Sequence, residues 1–405
     1  MKSLRSVLGL VLFTQLLWFV PPASAQDKPK EEEKKPPTLL EEIKFFSYIE
    51  NSYTFNLTGA GRDATNELRL YDFDEGYTFN IAEFSIKKDP SEKWPFGFGL
   101  VATAGIDSQK NHAIGIFRDD NDAFPFRNTS KYDLQEAYLS GLIPLGNGLT
   151  LKAGKFVTLL GYEVIESPNN LNFSRGYLFG LAIPLTHVGV LASYSVTDWL
   201  SLTFGPVDGW DIADDNNDTP SYTGQIAVTP LKDLTTNLNW IVGKEYSLPP
   251  PGSRRILNGG TRWVLDFVAN YTGIKNLTLG FNLDYGEEDD EAYLKHVLKQ
   301  RSQFDARWWG WAGYAAYDWT DKLRTALRQE FFTDPAGART QFGQKLSLWS
   351  TTATVQYKIW KGLVGRLEYR HDSADEKAFK IRTPGLVPTS TTLDTISLSL
   401  YYSFF

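Results

Sequence analysis

The chain has 405 residues, contains no Cys, and carries 41 Lys and Arg against 48 Asp and Glu, a formal net charge of −7. The absence of Cys excludes disulfides and Cys-ligated metals, and the mild acidity argues against a nucleic-acid partner, which would favour a strongly basic surface. No run of 18 apolar residues follows the N-terminal segment, which argues against a transmembrane helix. A closed β-barrel, whose strands alternate apolar and polar residues, is the other way to cross a bilayer.

The first 25 residues have the pattern of an export signal. Lys2 and Arg5 supply a positive start, residues 7–20 are apolar, and Ala23-Ser24-Ala25 is a small-residue cleavage site. The alternative is an uncleaved membrane anchor, but an apolar run of about 14 residues is short for a span. We therefore expect residues 1–25 to be a cleaved signal peptide.

Residues 26–42 are rich in Lys, Glu and Pro. Segments of this composition are extended, so we expect a periplasmic linker. Attachment to the cell wall is an alternative role. Residues 38–42 have the length of one helical turn, and the barrel is expected to occupy residues 43–405.

From about Ile43 onward, apolar residues recur at every second position. In residues 277–285, for example, the odd-numbered positions are Leu, Phe or Tyr and the even-numbered positions are Thr, Gly, Asn or Asp. A helix would place residues two apart on opposite sides, so this period predicts β-strands. Sixteen such segments have approximate cores at residues 44–57, 76–87, 95–105, 132–143, 149–157, 187–196, 199–205, 221–229, 234–244, 262–271, 277–285, 306–318, 323–332, 346–358, 363–371 and 393–404.

The connections between these segments alternate in length along the whole chain. Short connections such as 197–198 follow even-numbered segments, and long ones such as 158–186 follow odd-numbered segments. Outer-membrane barrels have short periplasmic turns and long outer loops, whereas a soluble sandwich or propeller has no reason to alternate in this way. The sequence therefore predicts an all-β, transmembrane, antiparallel up-and-down barrel of sixteen strands, give or take about two.

Aromatic residues mark both the predicted turns and the C-terminus. Four Trp residues lie beside predicted short turns: Trp94, Trp199, Trp319 and Trp360. They fit a girdle at the inner-side membrane interface, with strand-end packing in a soluble protein as the alternative. The last segment ends at Phe404-Phe405 and resembles those outer-membrane proteins whose terminal aromatic is read by the barrel insertion machinery. Phe405 lies one residue beyond the apolar phase.

A group of motifs in the middle of the chain carries a closer resemblance. The motifs are Gly154-Lys155-Phe156, Gly161-Tyr162-Glu163, Pro168-Asn169-Asn170, Phe173-Ser174-Arg175, Ile183-Pro184-Leu185-Thr186-His187-Val188-Gly189 and Gly205-Pro206-Val207-Asp208-Gly209-Trp210-Asp211. In these residues the chain resembles the OmpL-like β-barrel porin family. The resemblance implies a porin fold and a transport role inferred from that fold.

The predicted loop 159–184 carries Glu163, Glu166 and Arg175 among several Leu and Phe residues. In sixteen-stranded porins the loop at this place folds inward and narrows the pore. The apolar content favours packing against the inner wall, which would place the three charges in the lumen. A loop folded over the rim is the alternative.

Charged residues also fall on the polar face of three strands near the C-terminus: Arg324, Arg328, Glu330, Lys358, Arg366, Glu368 and Arg370. A charge that faces lipid at mid-depth costs roughly 2–4 kcal/mol, so we expect these residues to line a water-filled lumen. A mainly basic wall opposite an acidic loop would set ion preference. Mutual pairing of these charges is the alternative.

No catalytic or metal site is expected from the sequence. The four His residues have no ligand spacing, and His187 is expected to hold the base of a loop. Two oxygen-rich runs, Asp211–Asp218 and Asp119–Asp122, suit either calcium or hydrated outer loops, since Asp and Asn populate turns.

The predicted function is an outer-membrane porin for passive diffusion of small hydrophilic solutes and ions, with no cofactor. Its expected partners are outer-membrane lipid, those solutes and the insertion machinery. A plugged barrel that acts as a surface adhesin or anchor through its long outer loops is the alternative, and a barrel enzyme is a third hypothesis. The transported solute, the ion preference and association as a homo-trimer stay open.

Overall fold

The computed structural model describes residues 38–58, 68–71, 75–117, 130–215, 217–245, 260–289, 306–380 and 388–404. Sixteen antiparallel strands close into one barrel in which each strand pairs with its neighbours in sequence and the first strand pairs with the last. This architecture confirms the predicted up-and-down barrel and its strand count. Residues 1–37, the run Asp119–Asp122 and Phe405 lie outside the described residues.

The strands are β1 Lys44–Asn56, β2 Gly76–Lys88, β3 Phe96–Ala104, β4 Tyr132–Ile143, β5 Leu149–Val157, β6 Thr186–Thr197, β7 Leu200–Val207, β8 Ser221–Leu231, β9 Leu234–Lys244, β10 Thr261–Ile274, β11 Leu277–Glu288, β12 Ala306–Asp318, β13 Leu323–Asp334, β14 Leu346–Trp360, β15 Leu363–Ala374 and β16 Thr392–Phe404. The described helical segments are a 3₁₀ turn at Leu40–Glu42, helix α1 at Ile106–Lys110, a 3₁₀ turn at Ser167–Asn169 and a π-helical turn at Leu178–Ala182. The first of these lies within the helical turn expected at residues 38–42. In the described part of the chain, no helix has the length and apolar character needed to cross a membrane.

The period of two puts apolar side chains on the outside of the barrel and polar ones on the inside. In β15, Leu367 and Tyr369 are 48% and 43% exposed, whereas Arg366, Glu368 and Arg370 are buried. A soluble protein has the reverse arrangement, with apolar side chains inside and charged ones outside. An apolar outer band of this kind is suited to contact with lipid.

Short turns close the even-numbered strands because their residues accept a left-handed backbone. Asn276 follows β10 with φ of 63°, and Gly362 follows β14 with φ of 78°. Asn and Gly tolerate this region best, and two-residue hairpin turns require it to match the twist of the flanking strands. Local turn chemistry thus sets the register of adjacent strands.

The four Trp residues near the short turns lie at the surface or close to it. Trp199, Trp319 and Trp360 are exposed, and Trp94 is half-buried. All four flank connections of the short-turn end, as the sequence predicted, where an amphipathic ring suits a membrane interface.

Candidate functional site

The segment between β5 and β6, residues 158–185, is called the inner loop, and it contacts inward-facing side chains on opposite sides of the barrel. The backbone N–H of Gly161 donates to Asp266 Oδ2 of β10 at 3.0 Å. The N–H of Ser167 donates to the hydroxyl of Tyr48, which lies on β1, at 3.3 Å. Strands β1 and β10 are far apart around the barrel, so the loop extends across the interior.

Apolar packing anchors the C-terminal half of the inner loop. The π-helical turn Leu178–Ala182 belongs to a buried cluster with Trp308 of β12, Phe332 of β13 and Leu348 of β14. The indole N–H of Trp308 also donates to the carbonyl of Ala182 at 3.1 Å. Burial of these large side chains supplies a hydrophobic attachment of the loop to the wall.

Three inward-facing Arg residues bind the loop through its backbone carbonyls. Arg328 donates to Ser174 O at 2.6 Å, Arg366 to Ser167 O at 2.9 Å, and Arg370 to Arg175 O at 2.7 Å. A loop inside a barrel has no strand to satisfy its backbone, and a buried unpaired carbonyl is unfavourable. Guanidinium groups supply these missing donors.

Two carboxylates of the same wall accept from the loop. Glu368 accepts from the N–H groups of Phe173 and Ser174 at 2.7 and 2.9 Å, and Glu330 accepts from Tyr177 N at 2.7 Å. Wall carboxylates therefore bind loop N–H groups, and wall guanidinium groups bind loop carbonyls. We call the inward-facing charges of β13 and β15 that make these contacts the clamp wall: Arg328, Glu330, Arg366, Glu368 and Arg370.

Two of the three charges of the inner loop are buried in the contacts that shape it. Glu163 accepts from Arg328 Nη1 and from Gly176 N, both at 2.6 Å. Arg175 donates to three carbonyls of the loop itself, those of Val164, Ile165 and Phe173. A Cβ added at Gly176 would overlap Glu330 Oε2, so a larger residue here would displace the carboxylate that accepts from Tyr177 N.

The third loop charge, Glu166, lies against a different part of the barrel. It is partly buried, and its Oε1 accepts from Gln135 of β4 at 2.7 Å. Burial is the main cause that raises the pKa of Glu166 above its usual range. The inner loop thus divides its carboxylates between the clamp wall and the region of β4.

Two of the predicted wall residues lie apart from the inner loop. Arg324 pairs with Asp318 at 2.8 Å across β12 and β13, one residue from the short-turn end of β13. Lys358 is exposed on β14, close to the same end of the barrel. The structure therefore brings five of the seven predicted wall residues together at the loop and leaves these two at the short-turn mouth.

Several residues of the site were not identified from the sequence. Asp372 accepts from Arg370 Nε at 2.8 Å and from Arg69 Nε at 2.7 Å. Asp266 and Asn282 accept from the start of the inner loop. The polar phase of β10, β11 and β15 could have indicated Asp266, Asn282 and Asp372, but nothing in the sequence around Arg69 links it to a residue 303 positions away.

A second set of buried charges lies on β1, β2 and β4. Glu50, Glu83 and Glu136 are buried there, and Lys87 forms an ion pair with Glu136. The neighbouring helix α1 contributes Asp107. Burial, followed by repulsion from Glu50, raises the pKa of Asp107 to about 7.

The base of the inner loop is held by His187 and Asp211. His187 Nδ1 lies 2.9 Å from Gly209 O, and its Nε2 lies 3.1 Å from Thr158 Oγ1. Asp211 Oδ1 accepts from the N–H groups of Leu185 and Thr186. These contacts agree with the predicted structural role of His187. Within the described ranges, no three His, Asp or Glu residues converge in a way that would hold a metal ion.

Comparison with known proteins places this geometry in context. A family model described as "Putative beta-barrel porin-2, OmpL-like" matches residues 42–404. No curated protein matches the chain by sequence.

Solved structures of bacterial outer-membrane proteins share the fold. OmpT of Vibrio cholerae in its trimer form is 12% identical, with a TM-score of 0.58 over 89% of this chain and 99% of that chain. The outer membrane channel DcaP of Acinetobacter baumannii is 12% identical, with a TM-score of 0.56 over 89% and 97%. An anion-selective porin from Comamonas acidovorans is 10% identical, with a TM-score of 0.56 over 89% and 99%. At these identities the likeness concerns the fold alone.

Proposed function

This chain belongs to the OmpL-like β-barrel porin family, and on that premise we propose that it forms a water-filled channel in the bacterial outer membrane. Small hydrophilic solutes and ions would cross it by passive diffusion, and the inner loop would narrow it. The proposed activity is transport rather than catalysis. A sixteen-stranded barrel is wide enough to leave an aqueous passage.

The attachment of the inner loop is the observation that carries the proposal. The loop is bound through its backbone to β1, β10, β13 and β15. Inward-facing residues elsewhere, such as Ser193 and Asn237, stay partly exposed inside the closed barrel. A fixed loop on one side and accessible polar residues on another are the features of a narrowed but open passage.

The charged residues take different roles in this proposal. The clamp wall holds the loop in place, while Glu163 and Arg175 keep the loop in its folded shape. Glu166, Arg324 and Lys358 are the predicted site residues that retain access to water, so these three would act directly on passing ions. Charges at a constriction or at a mouth set ion preference.

We also propose the route and the assembly of the protein. Residues 1–25 would direct export and be removed, and residues 26–42 would extend into the periplasm. The last strand, ending at Phe405, would be read by the insertion machinery. Trimer formation is supported by the trimer form of OmpT from Vibrio cholerae, which has a similar fold.

Single-channel recording of the refolded protein in a planar bilayer tests the proposal. The chain has no Cys, so a single introduced thiol can be modified selectively. Val164 of the inner loop is 38% exposed, and a bulky thiol reagent on Val164→Cys should reduce the conductance. Glu376→Cys, at an exposed position beyond β15, is the matched control and should leave the current unchanged.

The two parts of the proposal fail in different ways. Absence of conductance steps from a folded barrel would remove the channel and favour the plugged barrel that works through its outer loops. Steady steps that are insensitive to modification at Val164 would preserve the channel and remove the inner loop as its constriction.

A further inference from the structure

Four consecutive strands of the barrel are almost free of charge. Strands β6, β7, β8 and β9 contain a single Asp, Glu, Lys or Arg among them, Lys244, which is the last residue of β9 at the long-loop end. Their accessible inward-facing positions carry hydroxyl, amide or small side chains, and the inward-facing His187, Leu191, Val207 and Ile241 are buried. We call the inner face of these strands the neutral wall, and its accessible members are Ser193, Ser195, Ser201, Thr203, Gln225, Ala227, Thr235 and Asn237.

The neutral wall is open to the interior, whereas the clamp wall is not. Each of the eight neutral-wall residues is partly or fully exposed. The five clamp-wall residues are between 0% and 2% exposed, because the inner loop covers them. A solute inside the barrel therefore contacts the neutral wall and is separated from the clamp wall by the loop.

The neutral wall can exchange hydrogen bonds with a solute. Ser193 and Thr203 share one hydrogen bond of 2.9 Å across β6 and β7, and Gln225 donates to Asn239 at 2.8 Å. Each hydroxyl can donate once and accept twice, and each amide offers two donors and two acceptor sites. Bonding capacity is therefore left over on the side that faces the passage.

The exposed face of the inner loop is also uncharged over part of its length. Val164 and Asn169 are exposed, while the neighbouring charged residue Glu163 is buried. On the strand next to the neutral wall, the ammonium group of Lys152 lies 4.5 Å from the centre of the Tyr138 ring. That contact gives this strand cation an aromatic partner.

We propose that the free part of the lumen favours uncharged, hydroxyl-rich solutes such as monosaccharides over ions of similar size. Such a solute replaces its bonds to water with bonds to Ser, Thr, Asn and Gln, which compensates for the loss of hydration. An ion of either sign loses hydration as well but finds no opposite charge on the neutral wall. This inference rests on the proposed channel function and names the solute class of the same passage.

Three solutes of nearly equal size test the preference. Proteoliposomes that hold the purified protein are loaded with labelled glucose, gluconate or protonated glucosamine at pH 6, and efflux is followed. Glucose should leave several-fold faster than either charged solute. Efflux of gluconate or glucosamine as fast as that of glucose would overturn the inference.

Charges introduced into the neutral wall sharpen the test. Asn237→Asp should accelerate glucosamine and shift the reversal potential towards cation preference, and Thr203→Lys should act in the opposite direction on gluconate. Asn237→Gln keeps the wall uncharged and should match the unmodified protein. Circular dichroism of each variant checks that the barrel has folded.

The possible outcomes distinguish a failure of the solute preference from a failure of the proposed channel function. Absence of both efflux and conductance steps would overturn the channel and the inference together. Open steps together with efflux of a charged solute as fast as that of glucose, or with ion selectivity that ignores both charge substitutions, would overturn the inference alone.

Discussion

The clamp wall and the neutral wall have the same strand geometry but opposite relations to the lumen. Strands β13 and β15 place five Arg and Glu side chains against the inner loop, each at most 2% exposed. Strands β6 to β9 place hydroxyl and amide groups on an accessible surface. A charge on the polar face of a barrel strand therefore need not reach the passage. It can instead serve as a hydrogen-bonding partner for a segment that fills part of the interior.

The difference follows from what each wall must satisfy. The inner loop brings backbone N–H and C=O groups into a space without a neighbouring strand, and such groups need partners. Charged side chains make the strongest hydrogen bonds to them. The neutral wall meets no loop backbone of this kind among its accessible residues, so water and solute can satisfy its side chains.

Removal of a clamp guanidinium should have the largest effect. Arg328→Ala leaves Glu163 and Glu330 without their shared partner, and loss of one member of a buried ion pair destabilises by about 3–5 kcal/mol. The inner loop should loosen, with larger and noisier conductance steps and a lower unfolding temperature in detergent. Asn237→Ala on the neutral wall is the control. Equal conductance and equal unfolding temperatures in the two variants would contradict the assignment of the loop contacts to the clamp wall alone.

A second packed segment, helix α1, buries the carboxyl of Asp107 where it contacts strands β2 to β4. Asp107 has a pKa raised from 3.8 to about 7 by burial, so the native state holds its proton more tightly than the unfolded chain does. Its contribution to stability is present below about pH 4 and is lost as the pH rises through about 7. Asp107→Asn should therefore stabilise the protein by up to about 4 kcal/mol at pH 8. It should not stabilise the protein at pH 4.

Thermal unfolding of the wild type and of Asp107→Asn at both pH values measures this effect. Glu92→Gln, which removes one negative charge at an exposed position of a short turn, serves as the control for net charge. An unfolding temperature of Asp107→Asn that follows the wild type at every pH would show that this carboxyl does not titrate as the structure implies.

Loss of an anionic acceptor at the clamp wall should have a smaller effect. Glu368→Gln replaces an oxygen that accepts from Phe173 N or Ser174 N with an amide that donates. Each hydrogen bond to a charged group contributes about 1.5–3 kcal/mol. We expect this part of the loop to move more, which would appear as fluctuations of the single-channel current, while the barrel stays folded. Glu376→Gln, outside the barrel wall, gives the reference trace, and quiet steps in Glu368→Gln would argue that the loop does not depend on this acceptor.

Bulk added to the neutral wall should affect the passage but hardly the stability. Ser193→Trp fills space beside an accessible position, so the conductance should fall while the free energy of unfolding changes by about 1 kcal/mol or less. Leu327→Trp adds the same bulk on the lipid-facing side, where Leu327 is 48% exposed, and should leave the conductance unchanged. Equal currents from both variants would mean that Ser193 does not border the passage.

Much of the architecture was predictable because its signals are local. The apolar period of two, the alternation of short and long connections and the turn residues each lie within a few positions of the chain. The prediction of sixteen strands rests on these signals, and the closed barrel confirms it. Local patterns also indicated which residues of β13 and β15 face inward, since Arg366 and Glu368 alternate with Leu367.

The partners of those inward-facing charges were not predictable, because they depend on contacts between distant segments. Arg328 and Glu163 are 165 positions apart, and Arg69 and Asp372 are 303 apart. No strand period encodes which charge a crossing loop will cover. The sequence left both a basic wall open to water and mutual pairing of the charges as interpretations, and the structure shows extensive pairing through the inner loop.

The alternation of apolar and polar residues was therefore enough to predict the barrel and the inward face of its clearest strands, because steric and hydrophobic periodicity acts between near neighbours. Which inward-facing residues are covered and which remain accessible became clear only from the folded barrel. That division depends on the path of one loop, and the path is set by hydrogen bonds and apolar contacts that form only when the barrel closes around it.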